Sequence, residues 1–386
     1  MKKIVIASDS FKGSLTSDEV ASAVERGILA VFPACEVRRM YIADGGEGTV
    51  EALVRSTGGE FVRCTVADPL MRPVEALYGV AGDGTAVMEM SAASGLTLVA
   101  PAERNPMKTT TFGTGQMIRD ALDRGCRNFL VGIGGSATND AGTGMLRALG
   151  FRFLDSVGRP LDGVGEALSK IESIDASEVP PEVRESSFTI ACDVTAPFSG
   201  PTGAAHIFAP QKGADPEMVA QLDAGLAHFA EVIRRFNGAE IDDLPGAGAA
   251  GGLGGGFSAL LGARLVSGIE MVLGAIGFAD AIADAQLIIT GEGRLDAQTA
   301  MGKAPRGVLD AAAAQGIPVV TIGGAVDAAA ELNRQGFAAV FPILPAPATL
   351  ERAMEPGFAA ANVERTVTQI MNVIKIAGRS QKTVTP

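Results

Sequence analysis

Four consecutive apolar residues, Ile4-Val5-Ile6-Ala7, are followed by a polar elbow and then by apolar positions at Val20, Ala23, Val24, Gly27 and Ile28. The continuous run predicts a strand buried on both faces, and the 3.6-residue spacing predicts an amphipathic helix behind it. Thr16 and Glu19 have the spacing of a capping box at the helix start. The same order returns in VRRMYIADGGEGT, with a strand, an Asp44-Gly45-Gly46 elbow and a helix from about Glu47. Far downstream, AQLIITGEGRLD leads into a helix near Arg306–Ala314, and IPVVTIGGAVD forms another strand. A last strand near AAVFPIL precedes a closing helix around Gly357–Ile376. Five such strands with helices between them predict a parallel, doubly wound α/β sheet.

The chain between these blocks changes pattern. EFVRCTVAD, VEALYGV and TAVMEMS follow one another with only turns between them, which predicts an antiparallel meander. A helix near Thr114–Arg124 and the strands FLVGIGG and FTIACDV come next, so this stretch is mixed α+β. The predicted organisation is one α/β domain made of residues 1–60 and 280–386, interrupted by an inserted mixed α+β domain of residues 61–279.

Composition narrows the function. The 386 residues are 47% hydrophobic and 20% charged, which fits a folded chain with ample core. A net charge of −12 argues against a general nucleic-acid surface, which needs clustered Lys and Arg. Cys35, Cys64, Cys126 and Cys192 form no CxxC pair, so neither a zinc knuckle nor a disulfide framework is indicated. With His206 and His228 as the only histidines, a multi-histidine metal site and a Ser-His-Asp triad are both disfavoured. The apolar start is too short for a signal peptide, and no stretch reaches the ~20 apolar residues of a membrane helix. The expected location is the cytoplasm.

The chemistry is concentrated in the elbows. In an open parallel sheet, ligands bind beyond the carboxyl ends of the strands. Ser8-Asp9-Ser10-Phe11-Lys12, Asp44 to Glu47, Gly291 to Asp296 and Gly323-Gly324 are all expected there. Each alone reads more simply as a polar turn. Together they bring Asp9, Asp44, Glu47, Glu292 and Asp296 to one rim, where like charges need Mg²⁺ or the cations Lys12, Arg294 and Lys303. In FLVGIGGSATNDAGTGML, Gly134 and Gly135 end a strand, and Ser136, Thr138 and Asn139 open a predicted helix bearing Ala141, Met145, Leu146 and Leu149. That arrangement suits phosphate, or a simple capped turn. The run Pro245–Ala263 contains GxGxxG without a preceding strand, so it reads as a mobile glycine loop rather than a dinucleotide site. A Walker A motif is absent.

Six segments carry a resemblance: SDSFKGSLTSDEV, ADGGEGT, GIGGSATNDAGTGM, CDVTAPFSGPTGAAHIFAPQKGA, GAAGGLGGG and TGEGRLDAQTAMGKAP. In this order, across nearly the whole chain, they resemble the bacterial glycerate kinase family, which forms 2-phosphoglycerate. Ser8 stands where that family usually has proline. The resemblance implies a flavodoxin-like domain interrupted by a domain of restriction-endonuclease-like topology. It also implies ATP, Mg²⁺ and D-glycerate, hence small-molecule substrates, with no nucleic acid or membrane partner; a homo-oligomer is left open. Phosphorylation at the 3-hydroxyl, or of a related hydroxy acid, is the alternative; an NAD-dependent dehydrogenase and a non-enzymatic sugar-acid sensor are weaker rivals.

Within phosphoryl transfer, the residues' own chemistry suggests roles. Asp193, delivered by FTIACDV, is a candidate base or a turn aspartate. Lys12 and Arg294 are candidates for the acid's carboxylate, and Gly134, Gly135, Ser136, Thr138, Asn139, Gly291, Gly293 and Lys303 for phosphate, beside Ser8, Asp9 and Ser10. Asp44, Glu47 or Glu292 would hold Mg²⁺. Lys212 reads as a further phosphate cation or, more simply, a solvated loop lysine.

Overall fold

The computed structural model describes residues 1–43, 48–296, 299 and 303–382. Contacts divide the chain into two compact units, Met1–Asp44 with Val272–Pro386, and Gly45–Met271. Strands β1 (Lys3–Ser8) and β2 (Glu36–Tyr41) start the first unit. The second unit holds β3 (Glu60–Ala67), β4 (Pro73–Val80), β5 (Ala86–Glu89), β6 (Asn128–Gly132), β7 (Arg152–Leu154), β8 (Ser173–Asp175), β9 (Ser187–Ala191) and β10 (Arg264–Val266). The chain then returns to the first unit with β11 (Leu287–Leu295), β12 (Val319–Val326) and β13 (Ala339–Pro342).

The first unit is built on a five-stranded sheet in the order β13-β12-β11-β1-β2, and every pair is parallel. Numbered within the unit, this is the doubly wound order 2-1-3-4-5, with the reversal between β1 and β11. Ile4 and Ile6 of β1 pack with Val20, Val24 and Ile28 of the Ser17–Leu29 helix and Val363 and Val367 of the closing helix. Gly27 lets the two helices approach, since a Cβ there would lie 2.7 Å from the Glu364 carbonyl oxygen. The capping box is present: Glu19 N–H donates to Thr16 Oγ1 at 3.3 Å, and Thr16 N–H to Glu19 Oε2 at 2.8 Å.

Two expected elbows are strand instead. β11 and β12 run on through their glycines, pairing Glu292 with Gly323, Arg294 with Ala325 and Leu295 with Val326. A Cβ at Gly291 would lie 2.4 Å from the Ile322 carbonyl oxygen, so the glycine serves close ladder packing rather than a turn. The elbow Asp44–Glu47 lies outside the described residues. The helix expected near it covers Thr49–Thr57 and packs against β4 and β5, which joins it to the second unit. The units therefore meet at Asp44/Gly45, earlier than residue 60, and again at Met271/Val272, inside the Gly268–Ala275 helix.

The second unit has a six-stranded mixed sheet, β10-β9-β6-β5-β4-β3. β3, β4 and β5 form the antiparallel meander, and β5, β6, β9 and β10 are parallel. Its core includes Phe129 stacked on Phe188, with ring centroids 4.8 Å apart, and Phe153 edge-on to Phe229. The helix expected from Ser136 is much shorter, Thr143–Ala148, and residues 133–142 form an irregular loop. Left-handed backbone at Ala141 (φ 53°) and Gly142 (φ 77°) blocks an earlier start. Met145, Leu146 and Leu149 are nonetheless buried. Among the described residues no helix is long and apolar enough to cross a membrane.

Candidate functional site

In the first unit, the carboxyl ends of β1, β11, β12 and β13 surround a cavity of about 510 Å³. The β1 elbow is spliced to β11: Ser8 Oγ and Asp9 N–H both donate to the Gly291 carbonyl at 3.0 Å. Asp9 Oδ1 then accepts from Ser10 N–H at 2.6 Å. Phe11 and Leu15 exchange backbone hydrogen bonds of 2.8 and 3.0 Å, closing a tight turn. Lys12 stands exposed at its tip beside Gly13, whose φ of 77° makes the turn possible. The ammonium is thus carried on a rigid support at the cavity's edge.

Period-two alternation along β11 puts Glu292 and Arg294 on one face, and both border the cavity. Glu292 is almost wholly buried; it accepts from the Thr299 hydroxyl and lies 3.8 Å from Lys303 Nζ. Burial pushes its carboxyl pKa above the usual range, and the negative charges of Asp9 and Asp296 push the same way, while Thr299 and Lys303 oppose. Arg294 faces solvent and is met by Asp327 at 2.7 Å, with Asp296 at 3.8 Å. Its charge is committed to a surface pair across β11 and β12. Lys12 and Lys303 are the ammonium groups that border the cavity.

This donor set fits Mg²⁺. Among the described residues no three His, Cys, Asp or Glu side chains gather as a cage. Mg²⁺ does not need one, because it is usually held by one or two carboxylates plus phosphate and water. Asp9, Glu292 and Asp296 interact closely enough to disfavour ionisation of Glu292, a repulsion that a cation would relieve. Asp44 and Glu47 lie outside the described residues.

In the second unit, the loop after β6 exposes Gly134 and Gly135 and buries Ser136, Thr138 and Asn139. It is clamped on both sides. Leu96 N–H donates to Gly135 O at 2.8 Å, Ala137 N–H to Ser94 O at 2.9 Å, and Ala141 N–H to Gly251 O at 3.0 Å. The expected mobile glycine loop is therefore packed wall: a Cβ at Gly251 would stand 2.2 Å from Thr138 O. Thr138 Oγ1 and both amide atoms of Asn139 are buried without a hydrogen-bond partner. Asp193 follows β9 at the surface, and its Oδ1 accepts from Gly268 N–H at 2.9 Å, at the start of the Gly268–Ala275 helix.

Two residues organise this loop: Lys212, read from the sequence as a phosphate cation or a solvated loop lysine, and Asp140, which the sequence did not single out. Lys212 is fully buried and donates to Ser136 Oγ at 2.7 Å and to Thr138 O at 2.6 Å. Burial lowers its pKa to about 7, against an opposing pull from Asp140. The signal was the spacing of Ala205, Ala209 and Lys212: i, i+4, i+7 continues the buried stripe of the Ala204–Phe208 helix into the next turn. Asp140, also fully buried, accepts from Thr111 N–H and Oγ1, both at 2.8 Å, and from Gly142 N–H and Gly144 N–H. Burial raises its pKa, and these four donors work against the rise.

A parallel sheet with ammonium and carboxylate groups gathered at its switch point is a frame for group transfer. The relatives make the class definite, a phosphotransferase acting on an alcohol group. Residues 4–375 match the glycerate kinase family, and the chain belongs to it. It is 47% identical to the glycerate kinase of Bacillus subtilis over 377 residues, covering 97% of this chain and 98% of that protein. The glycerate 2-kinase of Escherichia coli is 45% identical over 358 residues, 92% of this chain and 94% of that one. A crystal structure described as glycerate kinase 2 from Salmonella typhimurium LT2 superposes with a TM-score of 0.89 at 44% identity, covering 98% of this chain and 99% of that one.

Proposed function

We propose that the protein transfers the γ-phosphoryl group of ATP, with Mg²⁺, to the 2-hydroxyl of D-glycerate, giving 2-phosphoglycerate. Family membership and the glycerate 2-kinase name of the Escherichia coli relative support the reaction. The observation that carries it is the cavity at the β1/β11 switch point, where a buried Glu292 sits between Asp9, Asp296 and Lys303. Phosphoryl transfer is chiefly positioning and charge neutralisation, and such a mixed set of charges serves both. Glu292 would hold Mg²⁺, which when bound neutralises phosphate charge; Asp44 and Glu47, the other candidate ligands, lie outside the described residues. In the first unit Lys12 and Lys303 would bind anionic oxygens; in the second, the Gly134–Gly135 backbone is the candidate for phosphate and Asp193 the candidate base for the attacking hydroxyl. The strand order supports reading the first unit as flavodoxin-like; the restriction-endonuclease-like topology of the inserted domain rests on the family resemblance.

The test is ADP release by the purified protein. Turnover is expected with ATP and D-glycerate together, and EDTA should abolish it. Absence of ATP consumption with D-glycerate and with close hydroxy acids would overturn the reading.

A further inference from the structure

We propose that the first unit's cavity takes the nucleoside of the phosphate donor, its base against an apolar wall and its phosphates toward Lys12 and Lys303. The proposal rests on the ATP-dependent reading above and assigns the donor's place within it.

Size and the layout of polarity carry the inference. At about 510 Å³ the cavity lies within the range that nucleotide-sized ligands fill. The three-carbon acid would leave most of it vacant. Its charged residues come from the β1 elbow, the end of β11 and Lys303 at the start of the Ala304–Ala313 helix, whereas Ile343, Leu344, Leu350, Ala353 and Met354 come from the segment after β13. In the sheet β12 separates β11 from β13, and it contributes only Gly324 and Ala325 to the lining. The segment after β13 folds back over the β1 elbow, where a Cβ at Gly13 would lie 2.8 Å from Met354 Cε. A pocket with a charged rim along β1 and β11 and an apolar wall facing it suits a flat base against the wall with its phosphates on the rim. It does not match a small, uniformly polar acid.

One further observation supports a ligand here. Ser14 Oγ, at the cavity, is buried and lacks a hydrogen-bond partner, leaving a hydroxyl for a ligand's polar group. Met354 adds an adaptable thioether suited to a flat heterocycle.

The chain contains no tryptophan, so the indole introduced by Leu350→Trp is a single emitter on the apolar wall. ADP and adenosine should each change its emission saturably, and D-glycerate alone should not. Ala353→Phe, filling the same wall, should raise KM for ATP at least tenfold and leave KM for D-glycerate within twofold. Calorimetric binding of ADP to the Leu350→Trp protein with no emission change would overturn the assignment while leaving ATP dependence intact. So would a response to D-glycerate alone as large as that to ADP. Failure to bind ADP at all, with no ATP consumption, would overturn both this assignment and the reaction.

Discussion

Lys212 shows how burial changes the meaning of a residue. A lysine in a glycine-flanked turn looks solvated, yet its two hydrogen bonds, to Ser136 Oγ and Thr138 O, match the two N–H groups of a neutral amine. With a folded pKa of about 7 against an ordinary 10.5, the unfolded chain binds more protons between those values. Stability contributed at this site therefore rises with pH across that window and is flat below about 7. Lys212→Met removes the titration. Going from pH 7 to pH 9, wild type should gain on the variant by up to about 2 kcal/mol in urea unfolding. The buried thiols, whose raised pKa values act in the opposite direction, are common to both chains and cancel. Parallel pH profiles would contradict a buried, titrating Lys212.

Lys12 and Asp193 test the residue-level roles more directly. Lys12 is exposed on a turn closed by backbone hydrogen bonds, so Lys12→Gln should leave Tm nearly unchanged. A lost charge-assisted hydrogen bond of ~1.5–3 kcal/mol should lower kcat/KM roughly ten- to hundredfold, with the KM for ATP rising. Kinetics within twofold of wild type would reduce the elbow to a turn. Asp193→Asn keeps an oxygen to accept from Gly268 N–H, so folding should survive. A true base would then show kcat reduced roughly 10²- to 10⁴-fold. A drop below threefold would leave Asp193 as a helix cap alone.

Elements whose signals are local were legible. The first strand, the Thr16–Glu19 box and the antiparallel meander rest on period and capping chemistry within a few residues. Glycine misled wherever its reason lay in a distant partner. Gly291, Gly323 and Gly324 read as elbows but sit in strands, because the bulk they avoid belongs to the neighbouring strand. The loop at residues 133–142 failed as a helix because Asp140 ties it to Thr111, far away in sequence. The same reasoning separates two glycines of the segment after Pro245. Gly251 (φ 71°) would place a Cβ 2.2 Å from Thr138 O, whereas Gly262 (φ 65°) has open space. Gly262→Ala should cost about 1–2 kcal/mol for the left-handed backbone alone. Gly251→Ala should cost about 3 kcal/mol or more, since the clash adds to the strain. Equal losses in urea titrations would refute a packed, rather than mobile, glycine segment.

On the scale of the whole molecule, alternating strand and helix patterns sufficed for a parallel sheet, because strands buried on both faces announce themselves as apolar runs. The partition between units was less legible. The Thr49–Thr57 helix has an ordinary amphipathic pattern, and nothing in it states that its apolar face will meet β4 and β5 rather than β1 and β2. The cavity likewise depends on sheet order, which brings residue 9 beside residue 292 and only then gives the scattered carboxylates a common purpose. The proposed reaction puts a phosphoryl group on one particular hydroxyl. The most direct measurement is ³¹P and ¹³C NMR of the product formed from ATP, Mg²⁺ and D-glycerate. The expected product is 2-phosphoglycerate, its phosphorus split into a doublet by the single methine proton; the triplet given by the methylene protons of 3-phosphoglycerate, as the first product, would contradict the assignment of the hydroxyl.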